Sequence, residues 1–501
     1  MGPMAALLEE ARPALSSAVS VGEWAQNLRV ALVPQTGEAG RATFWGIQMH
    51  LAHLSSVVEN LGLPRPGQAI CLEESADVFG SPFAVTRAAT ASIGAALWAV
   101  SHLDAVRSGG SRQSVKLSGR HASAAFHSER LLSVPALRNE ELWDPIAGNY
   151  PAADGWVRLH TNLPTHRRSA LAVLDVPADR AAVAAAVAAW GAVELETAVA
   201  EAGGVAAAMR TRSEWALHPQ AKAVASLPLV GIAPTGDGPG PCSGRFLDGI
   251  RVLDLTRVIA GPVAGRFLAS FGADVLRVDA PLDDGLLVEI DTGFGKRRTS
   301  VNLRSAAGRE ELRALVAGAD VVLEAFRPGA LAGLGFDAKT LVQIRPGLVT
   351  GHLSAFGEDG PWGTRRGFDS ITQVACGLAH ACGFSEAEGP AALPAQALDH
   401  ATGYLLAAGV LSGLTRLTQS GHGSRVTTSL VRTAAWLESL GSQPGRSASS
   451  IDPATVNDLM ETRADTAWGE VRHLRAVGQV GDRRGAWSRP PVPRDEHRPS
   501  W

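Results

Sequence analysis

In the stretch LPAQALDHATGYLLAAGVLSGL (393–414), Asp399 and His400 stand at the mouth of an apolar, helix-prone run with small residues behind them. A carboxylate there has two uses. At a helix N-terminus Asp is a favoured cap, because its oxygen accepts an orphan backbone N–H. The helix dipole at the same position favours the ionised form while leaving it at the edge of a cleft. A carboxylate nucleophile needs that: charge, one open side, and small neighbours that let an acyl group approach. The residues alone permit both, and capping is the commoner use. His400 offers either a base or a structural imidazole.

Three further segments carry candidate chemistry. DLTRVIAGPVAGRF (254–267) reads as a strand end leading into a helix, where unpaired N–H groups and the dipole make a natural phosphate cradle. It lacks GxGxxG, so a nicotinamide or flavin fingerprint is absent, and an ordinary strand–helix loop explains it equally. In GFGKRRTSVNLRSAAGREE (293–311), Lys296, Arg297, Arg298 and Arg304 form a basic cluster in a chain with only four lysines. It is either a phosphate site or a solvated turn. EAFRPGAL (324–331) sets Phe326 and Arg327 at a strand's end, to line a pocket or to pack in the core.

The elements that must position these groups fall into regions. Residues 1–80 give little away. Residues 81–232 read as a long helix, a short β-rich part with a hairpin signal at Asp154-Gly155, and an Ala-rich helix closed by a Gly pair. The Gly/Pro cluster APTGDGPGPCSG marks a linker at 233–245 without regular structure. From 246 to 440 the pattern alternates: IRVLDL, DVLRVDA, DVVLEAF and GLVTGHLSAFG as strands, with helices between. That alternation predicts right-handed crossovers and an open, mostly parallel sheet. Residues 441–501 read as extended or loop-like. Residues 83–118 can also be laid over 395–430, each copy an apolar helix, a Gly turn and a short strand. Opposite Asp399 the first copy has Arg87.

Composition narrows the classes. The 501 residues suggest more than one core. A net charge of −3 gives no footprint for nucleic acid or an anionic membrane. Four cysteines without CxxC spacing suggest neither a disulfide framework nor a zinc site, and fit a reducing cytoplasm. The N-terminus does not read as a secretion signal. The longest apolar run, Ala181 to Val193, falls short of the roughly 20 residues of a spanning helix.

The segments LDGIRVLDLTRVIAGPVAGRFLASFGADVLRVDAP, GKRRTSVNL, ADVVLEAFRPGALAGLGF, RPGLVTGHLSAFGEDGPW, RGFDSITQVACGL and LDHATGYLLAAGVL, in that order, resemble the family III CoA-transferases. Residues 84–232 resemble the later part of that family, including its small domain, and 484–501 its closing segment. The resemblance implies an α/β fold, with an open, mostly parallel Rossmann-like sheet domain that binds coenzyme A and a smaller α+β domain. It implies an acyl-CoA co-substrate, a carboxylic acid acceptor and no metal. By motif position it places the nucleophile at Asp399 and the CoA-binding turn at Arg257, Val258, Ile259 and Ala260. Further CoA contacts fall at Val301, Arg304, Ala325 and Phe326, although the family often has Asn at the position of Ala325. In the implied reaction an aspartate attacks the thioester to give a mixed anhydride, and CoA thiolate returns to give an aspartyl-CoA thioester.

One departure is instructive. A typical member has its α/β domain first, whereas here small-domain-like sequence precedes it. This implies a fusion whose first half is a degenerate second protomer, and either a homodimer or an intrachain pseudo-dimer around the site. Two alternatives stand beside CoA transfer. The family's 2-methylacyl-CoA racemases use a His just before the Asp of a GHD-like element, where this chain has Phe368. A non-catalytic CoA-binding subunit is the other.

Overall fold

A computed structural model of the chain describes residues 38–501, apart from 75–76, 139, 280–284, 386–388 and 443–447. The reading of the first residues as lacking a secretion signal lies outside that range. Seven strands form the main sheet: β1 (Gly231–Asp237), β2 (Arg251–Asp254), β3 (Asp274–Asp279), β4 (Lys296–Ser300), β5 (Val321–Glu324), β6 (Val349–Ser354) and β7 (His422–Ser429). Their order is β1-β7-β6-β5-β2-β3-β4. All neighbours are parallel except β1, which is antiparallel to β7. β2 and β5 are buried on both faces, which is why they read as unbroken apolar runs. From β2 the chain moves outward through β3 and β4, then returns to β5 on β2's other side. The crevice beyond the C-terminal ends of β2 and β5 is therefore a topological switch point, where such sheets bind ligands.

The expected linker at 233–245 is in part a strand. Residues 231–237 are β1, paired with β7 from Gly231↔Thr427 to Asp237↔His422. An edge strand pairs on one side only and so tolerates Pro234. Clustered Gly and Pro did not preclude regular structure here.

The internal repeat is visible in the structure. Helices α1 (Val85–Ser108) and α2 (Ala397–Ser420) each have 24 residues. Each is stopped by a left-handed glycine, Gly109 at φ 67° and Gly421 at φ 76°, whose N–H returns to a carbonyl of the last turn. A strand and another helix follow each one: Val115–Ser118 with Gly119–Ala125, and β7 with Leu430–Ser439. α1 packs against α2, which also packs on β7 and on the helix Ala260–Ser270. Covered on every side, α2 is apolar around most of its circumference. A single apolar cluster runs from Leu54 through both helices to Val480, so the two halves share one core.

The last segment of each half crosses to the other half. Strand β1 closes the main sheet, and the C-terminal segment returns to add Gln479–Val480 and Arg483–Arg484 beside Val115–Ser118. The tail expected to be extended therefore carries strands, including the hairpin Met460–Thr466/Gly469–Leu474. A small three-stranded sheet (Gly148–Ala152, Gly155–Leu159, Ala206–Ala208) lies within the first half. Its hairpin turns at Ala153-Asp154, one residue before the expected position, because Gly155 already pairs with Ala152. The Ala-rich stretch is two helices, Arg180–Val187 and Ala192–Glu201, bent by 117°. Gly191 caps the second. Among the described residues no single helix is long and apolar enough to cross a membrane.

Candidate active site at the start of α2

Asp399 is the third residue of α2 and does not cap it. The N-cap is Gln396, whose side chain makes no capping bond. Instead the Asp399 N–H donates to Asp369 Oδ2 at 2.9 Å, so a carboxylate from the neighbouring helix Asp369–Ala375 satisfies α2's exposed donor. Asp369 Oδ1 accepts the Gln373 amide, whose own oxygen accepts the Leu393 N–H at 2.8 Å. Relieved of capping, the Asp399 carboxylate accepts no hydrogen bond from any described residue and faces a cleft.

The electrostatics oppose the expectation that the dipole keeps Asp399 ionised. Burial, then the charges of Asp369 and Glu129, raise its carboxyl well above the usual range. A helix dipole is worth about 0.3–1 kcal/mol at a surface, less than the several kcal/mol that burying an ion costs. Asp369 is likewise raised, to about 6, by burial, although its N–H and amide donors pull the other way. Glu129 behaves oppositely. Burial pushes it up, but the hydrogen bond and charge of His400, with His127, hold it below the ordinary carboxylate value. His400 Nε2 lies 3.0 Å from Glu129 Oε2, and the ring is fully buried and stacked on Phe126. His400 is thus a structural partner of Glu129, not a base facing the cleft.

The turn after β2 supplies the opposite wall. Thr256 donates twice to Asp254, through N–H at 3.0 Å and through its hydroxyl, and tightens the turn. Val258 then adopts φ +65°, a left-handed conformation rare for a β-branched residue and costing about 1–3 kcal/mol. Val258 and Ile259 line the cleft with Asp399. Ala260 is buried at the start of its helix, and its carbonyl lies where a Cβ on Gly403 would come within 2.4 Å. Only glycine at 403 lets α2 approach this closely, one turn behind Asp399.

The other predicted contacts spread along the same sheet edge. Ala325 and Phe326 follow β5, across the switch point from Arg257, and the Phe326 N–H donates to Glu324 at 3.1 Å. Arg257, Arg327 and Arg366 come close enough to His166 to add to the burial that lowers it to about 4. Val301 is buried beneath the sheet and Arg304 is exposed. Both follow the edge strand β4, and neither lines the cleft that holds Asp399.

Three residues of the basic cluster, those before Arg304, form neither a phosphate site nor a solvated turn. Lys296, Arg297 and Arg298 lie in β4. Lys296 is fully buried, with Nζ 2.8 Å from Asp254 Oδ2 and from the Pro262 carbonyl. Burial lowers it to about 8, against the pull of Asp254. Arg297 pairs with Asp274, and Arg298 with Asp279 and Glu289.

The cleft encloses about 590 Å³ of space that includes open solvent, and much of its wall comes from the first half. Glu129, Trp143 and His160 were not singled out from the sequence, because no local motif links them to Asp399, 239 or more residues downstream. His160 stacks on Phe368 with ring centres 3.9 Å apart and planes 5° apart. Burial, with the charges of Arg158 and His166, lowers it to about 3. At the repeat's other end Arg87 donates to the Leu440 carbonyl at 2.9 Å, so the position equivalent to Asp399 holds a structural cation.

Residues 247–445 match the model of a family described as CoA-transferase family III. The probable fatty acyl-CoA transferase Rv3272 of Mycobacterium tuberculosis is 33% identical over 207 residues, 38% of this chain and 52% of that protein. The formyl-CoA:oxalate CoA-transferase of Escherichia coli O6:H1 is 34% identical over 198 residues, 37% of this chain and 47% of that protein. The chain spans about half the length of these relatives. A crystal structure of the Mycobacterium tuberculosis protein Rv3272 aligns with a TM-score of 0.36 at 33% identity, over 38% of this chain and 57% of that one.

Proposed function

From the match of residues 247–445 to the model of CoA-transferase family III, we propose that the chain moves coenzyme A from an acyl-CoA thioester to a carboxylic acid through Asp399. The observation that carries this reading is the Asp399 carboxylate itself. Its backbone is fixed by Asp369, its side chain accepts no hydrogen bond from the described residues, and it opens into a cleft edged by the turn after β2. A buried carboxylate without hydrogen bonds is poorly stabilised as an anion and hence a stronger nucleophile than one in water.

The steps balance without an external acid or oxidant. Asp399 attacks the thioester carbonyl, the C–S bond breaks, and CoA leaves as thiolate. The thiolate attacks the aspartyl carbonyl of the anhydride, releasing the donor acid and leaving CoA on Asp399. The acceptor carboxylate displaces CoA from the aspartyl carbonyl, and the thiolate attacks the acceptor's acyl carbon to restore Asp399. In this reading the strained Val258 turn shapes the approach of the thioester, and the convergence of Arg257, Arg327 and Arg366 on His166 supports a role for them in meeting CoA's phosphates. Ala325 and Phe326 flank that route, while Val301 and Arg304 fit only a remote part of CoA. With Glu129 and His160 supplied from the first half, the chain carries both halves of a paired site.

Racemisation is disfavoured on two grounds. Position 368 is Phe, and the imidazole that stacks on it, His160, is held near 3, too weak a base for proton abstraction at neutral pH. The test is to incubate the protein with a panel of acyl-CoAs and hydroxylamine. An aspartyl hydroxamate at residue 399, absent from Asp399→Asn, is expected; turnover without it removes the nucleophile assignment. Deuterium uptake at the α-carbon of a 2-methylacyl-CoA would favour the racemase instead.

A further inference from the structure

The cleft's lining is chemically uneven. Leu142, Trp143, Leu163, Ile259, Val288 and Phe368 give it apolar walls. Trp143 is held from behind by the Arg158 guanidinium, 5.1 Å from its ring centre. Two of the ionisable side chains that line the cleft with Asp399 are acidic, Asp369 and Glu129, and a third, His160, is kept neutral by burial. Glu129 is 4% exposed and keeps one oxygen on His400, while its Oε1 has no hydrogen-bond partner among the described residues. A cation also lines the cleft, Arg130, but it is exposed at the rim.

We propose that the first half makes this site selective for monocarboxylic acyl groups with an uncharged, carbon-rich chain and excludes dicarboxylic ones. The inference rests on Asp399 receiving the acyl group. A second carboxylate on the substrate would lose its water between apolar walls and beside two like charges, and both effects disfavour the ion. Arg130 offsets little of this, because an ion pair in solvent is weak. Each methylene buried against the walls, by contrast, strengthens binding roughly three- to fourfold. Glu129 therefore acts as a filter at the base of the cleft.

Butyryl-CoA and succinyl-CoA have the same acyl carbon count and differ by a terminal carboxylate, so they isolate the effect. Loading of residue 399 in the full chain is measured as the initial rate of hydroxamate formation with each. Butyryl-CoA should load on the order of 100-fold faster. Glu129→Gln, which can still hydrogen-bond His400, should raise the succinyl-to-butyryl loading ratio about tenfold or more. Equal loading of the two thioesters by the unaltered protein, or a ratio that Glu129→Gln leaves unmoved while the variant's melting point is retained, overturns the inference and leaves transfer intact. If neither thioester nor any other loads Asp399, the transfer reading falls and takes the inference with it. If Glu129→Gln does not fold, the ratio in the unaltered protein decides alone.

Discussion

Asp399→Asn should stabilise the protein, and do so only above acidic pH. Asp369 is held at about 6 instead of 3.8 although it accepts two backbone N–H groups and an amide. At about 1.4 kcal/mol per pH unit, this is ~3 kcal/mol of folding free energy lost at neutral pH. Asp399 is raised by burial and by two neighbouring carboxylates, and accepts no compensating hydrogen bond from the described residues. Because the folded protein binds these protons more tightly than the unfolded chain, stability is fullest below the ordinary carboxylate value. It falls as pH rises toward the folded-state values. Asn is nearly isosteric, carries no charge at any pH, and loses no protein contact at this position. Burying an ion that lacks a hydrogen-bond donor costs several kcal/mol, so we expect a gain on the order of a few kcal/mol at pH 8, seen as a melting point a few degrees higher. The gain should shrink toward zero near pH 4, where both proteins are neutral at residue 399. Calorimetric melting of the two proteins across that range is the assay. A variant less stable at pH 8, or a difference independent of pH, would refute the electrostatic argument.

The same raised carboxylates set the activity profile. kcat/KM for acyl-CoA should climb with pH through an apparent value belonging to the Asp369–Asp399 pair and above that of ordinary carboxylates; a flat profile from about pH 5 to 8 contradicts this. Val258→Asn relieves the left-handed β-branched residue and should add about 1 kcal/mol of stability while slowing loading of Asp399, by melting and single-turnover assays. Gly403→Ala drives a Cβ into the Ala260 carbonyl and should cost about 1–3 kcal/mol, with a lower kcat because α2 must shift. Lys296→Met leaves the buried Asp254 carboxylate without its cation, with only the Thr256 donors remaining, and should cost about 3–5 kcal/mol in urea unfolding. Arg304→Ala should leave the melting point unchanged and raise KM for acyl-CoA, because Arg304 is exposed.

The α/β order of 246–430 is legible in the sequence because strands buried on both faces are unbroken apolar runs, and glycine or proline bounds the helices. The repeat is legible too, since two 24-residue helices need the same apolar pattern and the same terminal glycine. Charge partners are not legible. KRR looks solvent-facing in one dimension, yet each cation meets a carboxylate brought by another strand or helix. Strand β1 hides for a similar reason: Gly and Pro are poor strand formers, and only the edge of β7 gives them a partner. Asp399 is conspicuous from its small neighbours and family motif. Its environment depends on Asp369, 30 residues earlier, and Glu129, 270 residues earlier, which no local pattern reveals.

The central claim is that residue 399 exchanges an oxygen with its substrates in each turnover. With an acceptor acid labelled with 18O in its carboxylate, a single turnover should leave one label in the Asp399 peptide, read by mass spectrometry. Unlabelled donor acid should leave carrying an oxygen from Asp399. Efficient formation of the new thioester with no label reaching that peptide would mean that CoA passes between substrates by another route.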